Sequence, residues 1–177
     1  IVHANMRMGI GVTGYLQATD EQRSWLSDVY VYLRAYDKQY SEDNDFPISI
    51  KITTVKPSGT LSLLAGVTPG AHPGYSRHYI RRIRMAADSE LASVARNNGY
   101  FVEYVRNFDG TEDHSTVVVE FPCQFPAGTM FAEDMTAVDQ LNVIRKLQAE
   151  RSDNSVSVTI YYRKDELDAI KQWLSDN

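Results

Sequence analysis

Apolar residues at Trp25, Val29, Leu33 and Tyr36 recur at helical spacing behind the run Thr19-Asp20-Glu21-Gln22, whose threonine and glutamine stand three apart as in a capping box. The pattern predicts a long helix that starts at Thr19 and ends in the charged, turn-forming stretch 41–47. There the period changes. Residues 49–55 are β-branched and alternating, Lys56-Pro57-Ser58-Gly59-Thr60 breaks the alternation, and an apolar run at 61–65 opens a helix or a buried segment. A strand from Tyr79 would carry Arg82 and Arg84 on one face and Arg81 and Ile83 on the other, dividing a basic cluster between solvent and a charged partner. Asp88 or Ser89 caps a short helix over 91–98 that stops at Asn97-Asn98-Gly99. Strands at 100–105 and 116–121 then flank the turn-forming Asn107-Phe108-Asp109-Gly110. Val138, Leu141, Ile144 and Leu147 form the apolar stripe of a helix over 136–150, a strand follows at 153–160, and helical spacing returns from 164 onward.

Helices thus alternate with mostly apolar strands, interrupted by one hairpin, which predicts an α/β fold with strands covered by helices. A chain of 177 residues, 43% hydrophobic and with a net charge of -5, suits one soluble globular unit around one core. Eighteen Lys+Arg against 23 Asp+Glu leave no basic excess for a nucleic-acid polymer, and no apolar run reaches membrane-spanning length. The single cysteine, Cys123, excludes an internal disulfide framework and a Cys-rich metal site, and points to the cytoplasm. The start at Ile1, with neither Met nor a signal pattern, and a last helix without a Gly or Pro terminator lead us to expect a fragment of a longer chain.

The chemistry suggested by the residues centres on the turn at 56–62. Pro57 fixes a torsion, Gly59 admits close approach, and the amides of Gly59 through Ser62 can converge on phosphate oxygens with the hydroxyls of Ser58, Thr60 and Ser62. By spacing alone the turn is either an anion site or an ordinary strand exit. It is not a Walker A loop, because no Gly-Lys-[Ser/Thr] closes it, and Lys56 is read as a solvated lysine. Gly9, Gly11 and Gly14 match G-x-G-x-x-G without a preceding strand and are read as close strand–helix packing. Tyr30, Tyr32, Tyr36 and Tyr40, Tyr161-Tyr162 and Cys123 are read as packing residues, and Glu112, Asp113 and His114 as a solvated tip or second arm rather than a metal site. His72, in the Gly- and Pro-rich loop 66–75, is either bonded to nearby backbone or turned to a substrate.

Three stretches taken together, TTVKPSGTLSLLAG at 53–66, PGAHPGY at 69–75 and YIRRIR at 79–84, resemble the phosphate-binding segment of the adenosylcobalamin-dependent (class II) ribonucleotide reductases. The resemblance is closest to the monomeric ribonucleoside-triphosphate reductase branch. Class I reductases carry a related Pro-Ser-Glu-Thr turn, so Gly59 and the residues after it favour the cobalamin class. RMGIGV at 7–12, Glu120-Phe121-Pro122 and Asp153-Asn154-Ser155-Val156-Ser157 extend the similarity over nearly the whole chain. It implies a ten-stranded α/β barrel, of which residues 1–177 would be the C-terminal part with a hairpin excursion. It also implies reduction of the ribose 2′-hydroxyl of a ribonucleoside di- or triphosphate by a cysteine thiyl radical. Adenosylcobalamin, bound mainly outside this chain, would start that radical, and a dithiol such as thioredoxin would restore the enzyme. Within this scheme Pro57, Ser58, Gly59, Thr60, Leu61 and Ser62 would hold the substrate's phosphates. The cysteines of the chemistry would lie elsewhere, so this segment alone would be inactive. The alternative is a noncatalytic nucleotide- or phosphate-binding module that reuses the segment.

Overall fold

Helix α1 (Asp20–Asp43) begins as its sequence dictates: the Thr19 hydroxyl accepts from the Gln22 amide at 3.2 Å while the Gln22 side chain accepts from the Thr19 amide at 2.9 Å. A computed structural model describes residues 5–59 and 61–177. The other helices are α2 (Leu61–Leu64), α3 (Glu90–Asn97), α4 (Ala137–Glu150) and α5 (Leu167–Asp176). Ser89 caps α3, Gly99 ends it at φ +78°, and Thr136 and Asp139 form a second capping box on α4. Strands β1 (Arg7–Gly11) and β2 (Lys51–Thr54) pair in parallel, and β3 (His78–Ala86), β4 (Phe101–Arg106) and β5 (Glu112–Gln124) make an antiparallel sheet in the order β3-β5-β4. The fold is α/β, as the pattern of periods predicts.

The chain divides into two compact units, Ile1–Tyr75 with Pro126–Asn177, and Ser76–Phe125. Where composition suggested one core, two clusters of buried side chains are found among the described residues. In the first unit Tyr15, Leu16, Val55, Ala71, Met135 and Leu147 gather around the end of β2, with Leu26 and Val156 against them. In the second, Ala92 and Ala95 of α3 pack on Val117 and Val119 of β5.

The antiparallel sheet is longer than its sequence pattern suggested. β5 runs on to Gln124 because β3 lies beside it through nine registered pairs, from His78↔Gln124 to Ala86↔Thr116. Asn107-Phe108-Asp109-Gly110 turns the chain between β4 and β5, with Gly110 at φ +85° and its amide on the Asn107 carbonyl at 3.0 Å. Glu112, Asp113 and His114 lie on the second arm, and among the described residues no three His, Cys, Asp or Glu side chains form a metal-sized group. Arg82 pairs with Glu103 and, at 3.1 Å, with Glu120, so the basic cluster does divide between solvent and charged partners. Cys123 stands opposite Tyr79, whose ring stacks on Phe125 at 4.9 Å. Burial raises the Tyr79 phenol above its ordinary value, and the neighbouring Cys123 thiol adds to the rise.

Two expectations need correction. RMGIG is itself the strand β1, and the three glycines do not make strand–helix packing: a Cβ on Gly9 would meet Thr54 of β2 at 3.3 Å, one on Gly11 would meet nothing within 4 Å, and Gly14, past the strand at φ +71°, lies against Val67 of a loop. Residues 153–160 form no strand, although they alternate like one. They meet β2 and the residue after it through the Asn154 amide on the Thr53 carbonyl and the bridge Val55↔Val156, with the side chains of Asp153 and Asn154, and not a regular ladder, on that flank. On α1, Tyr32, Tyr36 and Tyr40 are exposed and stack in a row with centroids 6.2 and 6.3 Å apart. No helix among the described residues is long and apolar enough to cross a membrane.

Candidate functional site

β2 is followed by Val55, which is fully buried, and the next residues rise to the surface: Lys56, Pro57 and Gly59 are exposed and Ser58 is half-buried. The Gly59 amide donates to the Pro57 carbonyl at 3.0 Å, a bond across three residues that tightens the turn. The chain then dives again. Ser62, fully buried, donates its hydroxyl to the Ser58 carbonyl, while Leu61 stays 62% exposed. α2 stops one turn later, where Gly66 takes φ +66° and the Val67 amide reaches back to the Ser62 carbonyl at 2.9 Å, the long bond of a Schellman stop. A surface turn is thereby stapled at both ends to buried groups. Thr60 lies outside the described residues.

Of the predicted site residues, Pro57, Ser58, Gly59, Leu61 and Ser62 are therefore brought together in one turn. Their roles differ from the expectation in two respects. Gly59 does not adopt the left-handed region, and a Cβ built on it meets nothing within 4 Å, so the protein itself places no demand for glycine there. Ser62 turns its hydroxyl inward to Ser58 and braces the turn from below.

The loop 66–75 is ordered against the same turn. Gly70, at φ +56°, presses on the Lys56 carbonyl oxygen, and the Gly70 amide donates to the Thr13 hydroxyl at 3.0 Å, which in turn donates to the Thr68 carbonyl at 3.0 Å. His72 is committed to backbone on both sides: Nδ1 donates to the Pro69 carbonyl at 2.9 Å and Nε2 accepts from the Thr159 amide at 2.9 Å. That geometry fixes the tautomer and makes His72 a strut of the loop.

Sequence reasoning missed the group that holds β2 from the other flank. One Asp153 oxygen accepts from the Tyr30 hydroxyl at 2.7 Å and from Arg34 at 3.3 Å, both on α1; the other accepts from the Ile52 amide at 2.9 Å and the Thr53 amide at 3.3 Å. Lys51 donates to the Asp153 carbonyl at 2.6 Å, and Asn154 donates to the carbonyls of Met8 and Thr53 at 3.0 and 2.8 Å. Nearby, the buried Arg151 reaches the Thr54 carbonyl at 3.3 Å, and burial pulls its guanidinium below its ordinary value. The available signal was an Asp-Asn pair directly after a helix, which is capping and bridging chemistry as often as a strand start.

Burial alone would raise the Asp153 carboxyl, but the Ile52 amide, the Tyr30 hydroxyl, Arg34 and the Thr53 amide together outweigh it and hold the group below the ordinary carboxylate value. A depressed native value means that the unfolded chain binds the proton first. The Asp153 contribution to stability is therefore fully present above about pH 4, the unfolded value, and is lost as pH falls through the lower folded one. Acid unfolding should steepen in that window, and Asp153→Asn should flatten it. An acid limb identical in parent and variant would rule this out.

No protein-family model matches the chain. Among curated proteins it is similar to the adenosylcobalamin-dependent ribonucleoside-triphosphate reductase of Euglena gracilis, 39% identical over 167 residues, covering 92% of this chain and 22% of that protein. It is likewise similar to the probable reductase of the same description from Dictyostelium discoideum (37% identical, 89% and 21% covered) and to that of Lactobacillus acidophilus (35% identical, 90% and 23% covered). A crystal structure of a B12-dependent (class II) ribonucleotide reductase superposes on 98% of this chain and 28% of that one, with a TM-score of 0.80 and 26% identity. The chain spans about a fifth of the length of the curated relatives it matches.

Proposed function

From a chain that corresponds in sequence and fold to one segment of the adenosylcobalamin-dependent ribonucleotide reductases, we propose a cytoplasmic enzyme whose full polypeptide reduces ribonucleotides to 2′-deoxyribonucleotides. Residues 1–177 are then a C-terminal part of its catalytic barrel, and the turn of Pro57, Ser58, Gly59, Thr60, Leu61 and Ser62 holds the substrate's phosphates. The observation that carries this reading is the turn itself: an exposed, hydroxyl-bearing surface bend over buried anchors at Val55 and Ser62, within a chain that aligns with reductases over nine-tenths of its length. The substrate is a ribonucleoside di- or triphosphate.

In the reaction the 2′-hydroxyl leaves as water and a hydrogen replaces it. Two electrons come from a cysteine pair that closes to a disulfide, which a dithiol such as thioredoxin reopens. This chain holds one cysteine, which cannot both carry the radical and form the pair, so the isolated segment turns over nothing. Adenosylcobalamin supplies the radical when bound. Its seat is placed mainly outside this chain; of the described histidines, His72 has both ring nitrogens engaged and is not a candidate axial ligand. The contribution of this segment is therefore binding. Hydroxyls and amides of the turn face the phosphate oxygens, and the braces beneath keep the ribose at a fixed distance from the chemistry.

The test is a titration of the full reductase with a substrate nucleotide and with the bare nucleoside. Ser58→Ala and Thr60→Ala should each weaken the nucleotide roughly ten- to a hundredfold, the worth of one charge-assisted hydrogen bond of about 1.5–3 kcal/mol, and leave the nucleoside unchanged. Retention of full phosphate selectivity in both variants would refute the site. Cys123, paired across the sheet with Tyr79, should be dispensable. Cys123→Ala should keep turnover within about twofold, and a fall of orders of magnitude in a folded, cobalamin-binding variant would place the thiol in the mechanism.

A further inference from the structure

β2 has only four residues, and the phosphate turn begins two residues after it, so any slip of the strand along its axis moves the turn by the same amount. Its hold on β1 is loose. The parallel register has three aligned pairs and is broken by a shift between Arg7 and Ile10. On its other flank no strand lies alongside among the described residues; the Asn154 amide donates to the Thr53 carbonyl at 3.0 Å, and just past the strand the bridge Val55↔Val156 and the Ser157 amide on the Val55 carbonyl at 3.1 Å stand where a ladder would run. Asn154 and Arg151 add bonds to Thr53 and Thr54, and Asp153 supplies the side-chain hold that reads two successive positions of β2 at once. Two successive amides, those of Ile52 and Thr53, converge on one of its oxygens, an arrangement with no tolerance for a one-residue slip of about 3.3 Å. Its second oxygen is tied to Tyr30 and Arg34 of α1, and its own amide donates to the Thr53 hydroxyl at 3.1 Å. Arg34 also donates to the carbonyls of Ser49 and Ile50, at 2.9 and 3.4 Å, so the approach to β2 and β2 itself are referenced to the same helix. Thr53 is fully buried, which leaves no water to replace these partners.

We infer that Asp153 is a positioning residue for substrate phosphate: the carboxylate, clamped between Tyr30 and Arg34 on one side and the amides of Ile52 and Thr53 on the other, sets the register of β2 and with it the placement of the turn. The inference rests on the phosphate-binding reading of that turn. A carboxylate is suited to the task because both oxygens accept, whereas an amide in its place presents a donor either to the two backbone amides or to Arg34.

The experiment measures KM and kcat of the full reductase for a ribonucleoside triphosphate, the affinity for the bare nucleoside, and thermal unfolding, in Asp153→Asn and Tyr30→Phe. The second variant removes one hydroxyl without opening the core. Asp153→Asn should raise the nucleotide KM about tenfold with kcat within about twofold and nucleoside affinity unchanged; Tyr30→Phe should raise it about threefold. A residue that merely stabilises the fold would lower the melting temperature without this KM-against-kcat split. Nucleotide KM within twofold of the parent in both variants overturns the inference, as does an equal loss for nucleotide and nucleoside. If Asp153→Asn does not fold, Tyr30→Phe decides alone. Gly59→Val, assayed in parallel, separates the two claims. If it abolishes phosphate selectivity while the Asp153 and Tyr30 variants do not, only the positioning role fails; if it too leaves selectivity intact, the phosphate site itself fails.

Discussion

Gly70→Ala should destabilise the chain by about 3 kcal/mol and lower its melting temperature by roughly 10 °C. Two costs add. Gly70 sits at φ +56°, where an L side chain is strained, and the new Cβ would run into the Lys56 carbonyl oxygen, which is backbone and cannot rotate away. Relief would require moving either loop 66–75, which the Thr13 hydroxyl and His72 hold in place, or the first residue of the turn at 56–62. Nucleotide affinity should fall along with stability for that reason. Gly59→Ala is the matched control: open space and an ordinary torsion predict a change within about 0.5 kcal/mol. Thermal melts of the two variants give the answer, and a Gly70→Ala protein that melts with the parent would show that the loop does not press on Lys56.

Gly59→Val should weaken nucleotide binding more than a hundredfold while leaving the fold intact. The separation of the two effects follows from the geometry. Nothing within 4 Å opposes a side chain at Gly59, so the branched group stands free at the surface, in the space through which a phosphate must come to reach the turn. It blocks every oxygen at once, whereas Ser58→Ala removes one partner, so the valine variant should be the weaker binder of the two. Calorimetric titration of the full reductase with nucleotide and nucleoside reads this directly. Equal affinity for nucleotide in parent and variant would mean that phosphate does not visit the turn.

Local signals were legible and non-local ones were not. The capping box at Thr19 and the stop at Gly99 lie within a few residues of what they bound, so the sequence displays both halves of each interaction. Val156, Val158 and Ile160 alternate as a strand should, but whether they form one depends on a partner a hundred residues earlier, already engaged by Asp153 and Asn154. The same distance hid Tyr30, which reads as one more tyrosine of an aromatic row until its hydroxyl is found on Asp153. At the turn, the residue types were legible and their division of labour was not. Nothing in Pro-Ser-Gly-Thr-Leu-Ser indicates that the last serine faces inward, since that follows from the closing bond to Ser58.

The unit Ser76–Phe125 is continuous in sequence, and the backbone pairs with itself on both sides of its boundaries: Gly74 with Met130 and Ala132, then Arg77 with Phe125 at 3.2 Å. The two ends of the excursion therefore lie side by side, like the feet of a clothes peg. A peptide joined at such feet can be lengthened, trimmed or exchanged over evolutionary time without rethreading what precedes or follows it, because loop closure grows only slowly more costly with length. A change of length in the hairpin therefore needs no change in the backbone of the other unit at residues 74, 130 and 132, where the chain already closes on itself.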